Sequence, residues 1–264
     1  MPIFRLGKEI LFPPVSLAME NGLLAVGGDL SPYRLLEAYR QGIFPWYSNG
    51  EPILWWAPHP RFVLFPREIA ISRSMKQVLR QKRFSITLDQ HFDNVISACG
   101  AVGRPTQEGT WITAEMEEAY CILHELGYAH SVEVWCGEEL AGGLYGVSLG
   151  GCFFGESMFS QKKNASKAAL IFLAQLLGNL RFTLIDCQVY TSHLASLGAR
   201  FVPRKAFSSL IRKSFSMTTL RGDWSTHRGI ADKWPREDFF DGRKMLERDG
   251  RKQQGAPAKI DRLI

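Results

Sequence analysis

The chain has 264 residues, of which 45% are hydrophobic and 22% charged, with a formal net charge of +6. This composition is typical of a folded globular protein and excludes a disordered, collagen-like or disulfide-scaffold chain. No apolar run approaches the roughly 20 residues of a membrane-spanning helix, and residues 1–11 lack the apolar core of a signal peptide, so we expect a cytoplasmic protein with no membrane partner.

The N-terminal segment is dense in proline, glycine and tryptophan, and it predicts a small domain over residues 1–62. One helix stands out within it. Ser31 is its expected N-cap, Pro32 occupies the first helical position, and Gly42 ends it.

Helix and strand patterns follow over residues 63–231, which we interpret as the second domain. Helices are predicted at about 72–82, 90–99, 114–127 and 164–178, and strands at about 84–88, 131–135, 140–147, 152–159 and 184–190. The fold class is therefore α+β, with a small N-terminal domain and a larger mixed-sheet domain. Residues 232–264 include 16 charged residues, which predicts a poorly ordered tail.

A basic segment lies at residues 72–83, which hold five basic residues and no acidic one. In a helix, residues three or four apart share one face. The segment therefore predicts a basic stripe, which is compatible with a polyanionic partner. Its members are Arg73, Lys76, Arg80 and Arg83.

Two carboxylates fall within apolar strand patterns, where a charge is costly. Asp186 and Gln188 would share one face of the strand at 184–190, and Glu156 would share a face with Met158. Each carboxylate is either a hydrogen-bonded structural group or a partner for an amine-bearing substrate. Trp46 and Trp111 lie in loop-like segments, where a tryptophan is either buried or stacks on a nucleobase.

Nucleotide hydrolysis, serine hydrolysis and zinc proteolysis are disfavoured because their sequence motifs are missing. The chain has no P-loop, no G-x-S-x-G elbow, no H-E-x-x-H and no dinucleotide fingerprint. Its five cysteines and six histidines show no metal-ligand spacing. We therefore expect no metal, no disulfide framework and no nucleotide cofactor.

A series of short blocks, collinear from about residue 3 to 225, carries a family resemblance. The blocks are NGLLAVGGDLS (21–31), GIFPW (42–46), PILWW (52–56), PHPR (58–61), GTWIT (109–113), HELG (124–127), GESMFS (155–160), NASK (164–167), IDCQV (185–189) and SLGA (196–199). Together they resemble the leucyl/phenylalanyl-tRNA–protein transferase family.

The resemblance implies an aminoacyltransferase of the bacterial N-end rule degradation pathway. Such an enzyme moves Leu or Phe, and less well Met, from aminoacyl-tRNA to the N-terminal Lys or Arg of a protein. The family implies no cofactor, and a monomer is our default. Its larger domain is similar to the GNAT acetyltransferase superfamily, although the acetyl-CoA pyrophosphate signature is missing after the strand at 152–159.

Residue by residue, the resemblance assigns a candidate site. Trp46 and Trp111 match the two tryptophans that sandwich the 3′-terminal adenine, and the basic stripe falls where the family contacts tRNA. The catalytic polar residues would be Glu156, Asp186 and Gln188. The aminoacyl side-chain pocket would include Leu144, Phe153, Met158, Leu170, Leu173 and Ile185, with Leu144 and Leu173 replacing the Met and Phe of a relative.

The roles within this site follow from acid–base chemistry. A carboxamide is a poor Brønsted base, so we expect Gln188 to orient the attacking amine instead of removing its proton. Asp186 would fix the Gln188 amide and attract the cationic N-terminus, while Glu156 would accept hydrogen bonds from the aminoacyl α-amino group. A CoA-dependent N-acetyltransferase and a non-catalytic RNA-binding module are the alternatives.

Overall fold

Two sheets organise the residues that the computed structural model describes, which are 3–101, 112–227 and 234. The smaller sheet comprises β1 (Phe4–Leu6), β2 (Leu23–Gly27), β3 (Phe44–Pro45) and β4 (Leu54–Trp56). Its order is β1-β2-β4-β3, with β1 and β2 parallel and the other pairs antiparallel. The N-terminal segment therefore builds a small domain around a sheet of its own.

The larger sheet has seven strands and is also mixed. They are β5 (Arg61–Leu64), β6 (Ser85–Leu88), β7 (Ala129–Cys136), β8 (Glu139–Leu149), β9 (Cys152–Ser160), β10 (Leu184–Asp186) and β11 (Arg200–Val202), in the order β11-β5-β10-β9-β8-β7-β6. The pair β9–β10 is parallel, and the other pairs are antiparallel. This confirms a mixed α and β fold with a mixed sheet.

Helices connect and cover the sheets. They are α1 (Pro32–Arg40), α2 (Arg73–Arg80), α3 (Phe92–Ala101), α4 (Ala114–Glu125), α5 (Ala165–Asn179), α6 (Ser192–Ala195) and α7 (Arg204–Ser214), with 3₁₀ turns at Val15–Leu17, Pro66–Glu68 and Trp224–His227. The predicted start of α1 is confirmed, because Ser31 is its N-cap residue and Pro32 opens it, although the Ser31 side chain makes no capping hydrogen bond.

Two adjacent glycines on β8 show that α3 and α5 cover opposite faces of the large sheet. A Cβ at Gly143 would come 3.3 Å from Val95 of α3, and one at Gly142 would come 2.7 Å from Ala165 of α5. Successive strand residues point to opposite faces, so the two helices lie on opposite sides. Because Gly142 and Gly143 have no side chains, both helices approach β8 closely.

The small domain and the α3 side of the large sheet share one hydrophobic core. Leu24 and Tyr39 from the small domain belong to the same buried cluster as Tyr120 on α4 and Phe154 on β9. This continuous packing is what brings residues from α1, α4 and β9 together at the candidate site. Within the described ranges, no helix is long and apolar enough to cross a membrane.

Candidate active site

Glu156 lies at an irregularity in β9. Tyr145 of β8 pairs with Ser157, but the next β8 residue, Gly146, pairs with Gly155, so Glu156 is the extra residue of a β-bulge. The parallel pairing of β9 with β10 ends at Phe154 and Asp186. Glu156 therefore follows the point where these two strands part, and the bulge re-aims its side chain.

The bulge separates Glu156 from Met158, so the prediction that they share a face is wrong. Met158 pairs with Leu144 on β8. Tyr145, the next residue, points to the opposite face and packs its ring at 75° to that of Tyr120, with centroids 5.6 Å apart. The Glu156 carboxylate lies on the same face as Tyr145, as the hydrogen bond that Tyr120 donates to its Oε2 atom at 2.9 Å shows.

Asp186 forms a buried ion pair with Arg61 from the neighbouring strand β5. Arg61 Nε donates to Oδ1 at 2.8 Å and its terminal nitrogen donates to Oδ2 at 2.7 Å. The two residues are 0% and 1% exposed, and the guanidinium also lies over the rings of Phe44 and Phe207. A bidentate pair of this kind satisfies both buried charges, so Asp186 is held as a hydrogen-bonded structural carboxylate.

The strand that contains Asp186 ends there, so the predicted strand over 184–190 is wrong beyond residue 186. Gln188 has a left-handed φ of 62°, and Val189 N–H donates to the Cys187 carbonyl at 2.7 Å. These contacts make a tight three-residue turn in place of a strand. A non-glycine residue in this conformation is strained, which is a frequent feature of functional sites.

Asp186 stabilises this turn through the backbone. Its Oδ1 atom accepts the Gln188 N–H at 3.0 Å. The Gln188 side chain instead donates from Nε2 to Glu156 Oε1 at 2.8 Å. Asp186 therefore fixes Gln188 through its main chain, which corrects the expectation that it holds the side-chain amide.

Glu156 is the centre of a hydrogen-bond network that joins three elements and the turn at Gln188. Gln188 occupies one carboxylate oxygen, Tyr120 of α4 occupies the other, and Tyr39 of α1 hydrogen-bonds to the Tyr120 hydroxyl. Burial raises the pKa of Glu156 to about 7, although hydrogen bonds from Tyr39 and Tyr120 lower it. At neutral pH the carboxyl group therefore exists in both protonation states.

The predicted pocket residues lie on the α5 face of the sheet. Paired residues of neighbouring strands point to the same face, and Leu144 pairs with Met158 while Phe153 pairs with Ile185. Phe153 also pairs with Ser148, which lies four residues after Leu144 and therefore points to the same face as Leu144. All four candidates thus share one face. Gly142, which contacts α5, has the same orientation. Leu170 and Leu173 lie on α5, and of the six candidates only Met158 is not fully buried.

The structure describes one of the two candidate adenine-binding tryptophans. Trp46 follows β3, is half-buried and packs 5.8 Å from the Trp56 ring, while its carbonyl accepts the Trp56 indole N–H at 2.6 Å. Trp111 lies outside the described residues. The adjoining segments do meet, because the Tyr47 hydroxyl is 3.3 Å from Thr113 Oγ1, at the start of α4.

The basic stripe is shorter than expected. Arg73 and Arg80 are exposed on α2 and Lys76 is half-buried, opposite the buried Met75 and Leu79. The helix ends at Arg80, and Lys82 adopts a left-handed φ of 49°. Arg83 therefore lies beyond the helix, which corrects its place in the helical stripe.

Comparison with known proteins gives a consistent result. The family model for leucyl/phenylalanyl-tRNA protein transferase matches residues 63–212, and the model for its N-terminal domain matches residues 28–59. The leucyl/phenylalanyl-tRNA–protein transferase of Syntrophus aciditrophicus is 76% identical over 239 residues, covering 90% of this chain and all of that protein. The chain belongs to the leucyl/phenylalanyl-tRNA–protein transferase family.

A second relative agrees with this family. The leucyl/phenylalanyl-tRNA–protein transferase of Desulfatibacillum aliphaticivorans is 57% identical over 233 residues, covering 88% of this chain and all of that protein. A solved structure described as L-PGS from Bacillus licheniformis aligns with a TM-score of 0.36 and 12% identity over 76% of this chain and 65% of that one. This likeness is too low to assign a fold, so the GNAT-like expectation stays a prediction.

Three residues of the candidate site were not singled out from the sequence. In the sequence, Arg61 is the last residue of the PHPR block, and Tyr39 and Tyr120 lie within helical segments that carry no local sign of a site. A charge within an apolar strand pattern requires hydrogen-bond donors or a cation, so the sequence indicated that Asp186 has a partner without indicating which kind. Nothing local identified a residue 125 positions away as that partner.

Proposed function

We propose that this chain transfers Leu or Phe, and Met less well, from aminoacyl-tRNA to the N-terminal Lys or Arg of proteins, marking them for N-end rule degradation. Family membership supports the reaction class. The observation that carries the proposal is the buried Glu156 carboxylate, which accepts hydrogen bonds from Gln188 and Tyr120 where β9 and β10 part. An amine is the group that such a carboxylate would hold.

Aminolysis of an aminoacyl ester is downhill, so the enzyme mainly has to position two substrates. Good orientation alone can supply about 7–11 kcal/mol of the barrier reduction. Gln188 Nε2 is committed to Glu156, so the amide presents its oxygen as the acceptor for an N–H of the attacking amine. Glu156, in its ionised form, accepts hydrogen bonds from the aminoacyl α-amino group.

Asp186 has a positioning role in this proposal. The Arg61 guanidinium neutralises the charge of the buried Asp186 carboxylate. In this proposal, Asp186 therefore does not attract the cationic N-terminus of the acceptor. Its Oδ1 atom instead holds the Gln188 backbone in the turn that directs the amide to Glu156.

The remaining substrate contacts are also proposals. Trp46 and Trp111 would stack on the terminal adenine, and the apolar residues under α5 would receive the aminoacyl side chain. Arg73, Lys76, Arg80 and Arg83 would contact tRNA phosphates, which gives salt-sensitive binding with little dependence on sequence. The protein would act as a cytoplasmic monomer without a cofactor.

A GNAT-like scaffold without a CoA cradle is proposed for the larger domain, with its boundaries at residues 63–231. The mixed seven-stranded sheet supports it. A short helix, α6 (Ser192–Ala195), follows the strand β10. The predicted tail at 232–264 lies outside the described residues except for Trp234, whose indole N–H donates to Gln175 Oε1 at 2.6 Å.

One transfer assay tests the proposal. The protein is mixed with tRNA carrying labelled Phe and a peptide that begins with Arg, and label in the peptide is measured. A peptide beginning with Ala is the matched acceptor control, and labelled acetyl-CoA replaces the charged tRNA as the donor control. Transfer from Phe-tRNA to the Arg peptide alone supports the proposal, whereas acetyl transfer without aminoacyl transfer overturns it.

A further inference from the structure

Helix α7 has an exposed polar face that the candidate site does not use. Its inner side is buried through Phe207 and Ile211. The outer side carries exposed residues at positions i, i+4, i+7 and i+8, which form one stripe on a helix. These residues, the α7 surface, are Lys205, Ser209, Arg212 and Lys213.

The positive charge of the α7 surface is not balanced by acidic residues nearby in the sequence. Residues 200–221 contain six basic residues and no acidic one. Within the ranges that the structure describes, Lys205, Arg212 and Lys213 form no ion pair, whereas other surface cations, such as the exposed Arg200 and the half-buried Lys162, do. Clustered like charges repel one another, so a partner that supplies negative charge would stabilise them.

The helix begins beside the candidate site. Arg204 donates its backbone N–H to His59 Nδ1 at 3.0 Å and its guanidinium to the Ala57 carbonyl at 3.2 Å. Ala57 follows Trp56, the residue that donates its indole N–H to the Trp46 carbonyl. The N-terminal end of the α7 surface is therefore linked by direct contacts to the segment that carries Trp46.

We propose that the α7 surface binds the phosphodiester backbone of the double-helical acceptor stem of the aminoacyl-tRNA. The inference rests on the proposed function, because the α7 surface would contact the same tRNA strand whose 3′-terminal adenine is proposed to stack on Trp46. The stripe from Lys205 to Lys213 is about 12 Å long, at a rise of roughly 1.5 Å per residue. That length matches about three successive phosphates of one strand.

The residue types favour phosphate over other anions on this path. Lys and Arg side chains together with a serine hydroxyl are typical donors to phosphate oxygens. Side chains cannot read base edges in the deep, narrow major groove of an A-form RNA stem, so binding there would depend little on the sequence of the stem. An acidic region of the acceptor protein is the competing partner, and the experiment separates the two.

The test uses the full chain with Lys205→Gln, Arg212→Gln and Lys213→Gln combined. We expect the KM for Phe-tRNA to rise about 10- to 100-fold at roughly 0.1 M salt, and the slope of log KM against log salt concentration to become shallower by about two to three. Transfer from 3′-phenylalanyl adenosine, which carries no phosphate, should stay unchanged. The KM for the acceptor peptide should also stay unchanged.

Two control variants make the result specific. Arg5→Gln, Lys8→Gln and Arg181→Gln remove the same charge from three exposed positions elsewhere, and this variant should keep the KM for Phe-tRNA within about twofold. A charge-retaining variant, Lys205→Arg, Arg212→Lys and Lys213→Arg, should behave like the wild type. Its failure together with a loss of thermal stability would show a structural role and overturn the inference.

The remaining outcomes are decisive as well. An unchanged KM and salt slope in the Gln variant overturn the inference, as does an equal loss with 3′-phenylalanyl adenosine. A selective rise in the KM for an acidic acceptor protein assigns the surface to the acceptor and also overturns it. If the wild type transfers from neither donor, the proposed function itself fails, and this is seen before any variant is compared.

Discussion

The hydrogen bond from Tyr120 to Glu156 gives a quantitative prediction about pH. Tyr120→Phe removes a hydroxyl that donates to the Glu156 carboxylate at 2.9 Å without removing the ring. A hydrogen bond to a charged group is worth about 1.5–3 kcal/mol. Since one pKa unit corresponds to about 1.4 kcal/mol, the pKa of Glu156 should rise by about 1–2 units.

The direction of the effect follows from the charge states. The hydroxyl stabilises the ionised form and lowers the pKa of Glu156, which burial has raised to about 7. Its removal moves that pKa to roughly 8–9, so the ionised fraction at pH 7 falls from about one half to about 1–10%. If the ionised form is the active one, kcat/KM at pH 7 falls about 5- to 50-fold and recovers as the pH is raised.

The assay is the pH profile of kcat/KM for transfer from Phe-tRNA, because this parameter reports groups of the free enzyme. The acceptor amine and the α-amino group of the aminoacyl ester titrate identically with both proteins, so the ratio of variant to wild type isolates the enzyme group. Tyr39→Phe should shift the profile in the same direction, because the Tyr39 hydroxyl also lowers the pKa of Glu156.

Tyr145→Phe is the matched control. Tyr145 is also fully buried and packs against Tyr120, but among the described residues its hydroxyl has no hydrogen-bond partner. Its removal should leave the acid limb of the profile in place. A Tyr120→Phe variant that loses activity equally at every pH would refute the reasoning, because the titrating group would then not be the carboxylate that Tyr120 contacts.

Three further predictions concern the ion pair, the turn and the pocket. Arg61→Met should lower the free energy of unfolding by about 3–5 kcal/mol in urea titrations, because it leaves the Asp186 carboxylate buried without a cation, and adding Asp186→Leu should restore most of this stability. An additive loss in the double variant would contradict that explanation. Gln188→Gly should abolish most transfer with only a small change in melting temperature, because glycine adopts the φ of 62° without strain and this offsets part of the cost of losing the hydrogen bond to Glu156; a large drop in stability would contradict the structural account of the turn. Met158→Ala should raise the kcat/KM for Phe-tRNA relative to Leu-tRNA about tenfold, since each methylene of space is worth roughly 1–3 kcal/mol, and competition between the two labelled donors measures the ratio. Equal losses for both donors would remove Met158 from the pocket.

Local rules account for most of the secondary structure that the sequence predicted. The serine at position 72 caps α2 by accepting the Met75 N–H, and Pro32 opens α1, as residues of these types do in many helices. Apolar periodicity placed α4, α5 and the β8–β9 hairpin within a few residues of their observed bounds. The family also followed from the sequence, because blocks such as GIFPW and IDCQV are specific combinations of residues.

The geometry of the site was not predictable in the same way. The period of two along a strand placed Asp186 with Gln188 and Glu156 with Met158, and both pairings failed, because a tight turn and a β-bulge interrupt the alternation. The residues at which the alternation breaks, Gln188 and Glu156, are neither glycine nor proline, so neither residue signals the turn or the bulge in the sequence. Both are linked by a long-range contact that forms only when the chain folds, the hydrogen bond from Gln188 Nε2 to Glu156 Oε1.

The elements, the family and the chemical groups available for the reaction therefore follow from the order of residues along the chain. Which of those groups meet depends on how the chain packs: Arg61 meets Asp186, and Tyr39 and Tyr120 meet Glu156. The difference lies in the range over which each interaction acts. Caps, turns and periodicity act within a few residues, whereas the pKa of Glu156 and the neutralisation of Asp186 depend on side chains from α1, α4 and β5 that only packing of the common core brings within hydrogen-bond distance.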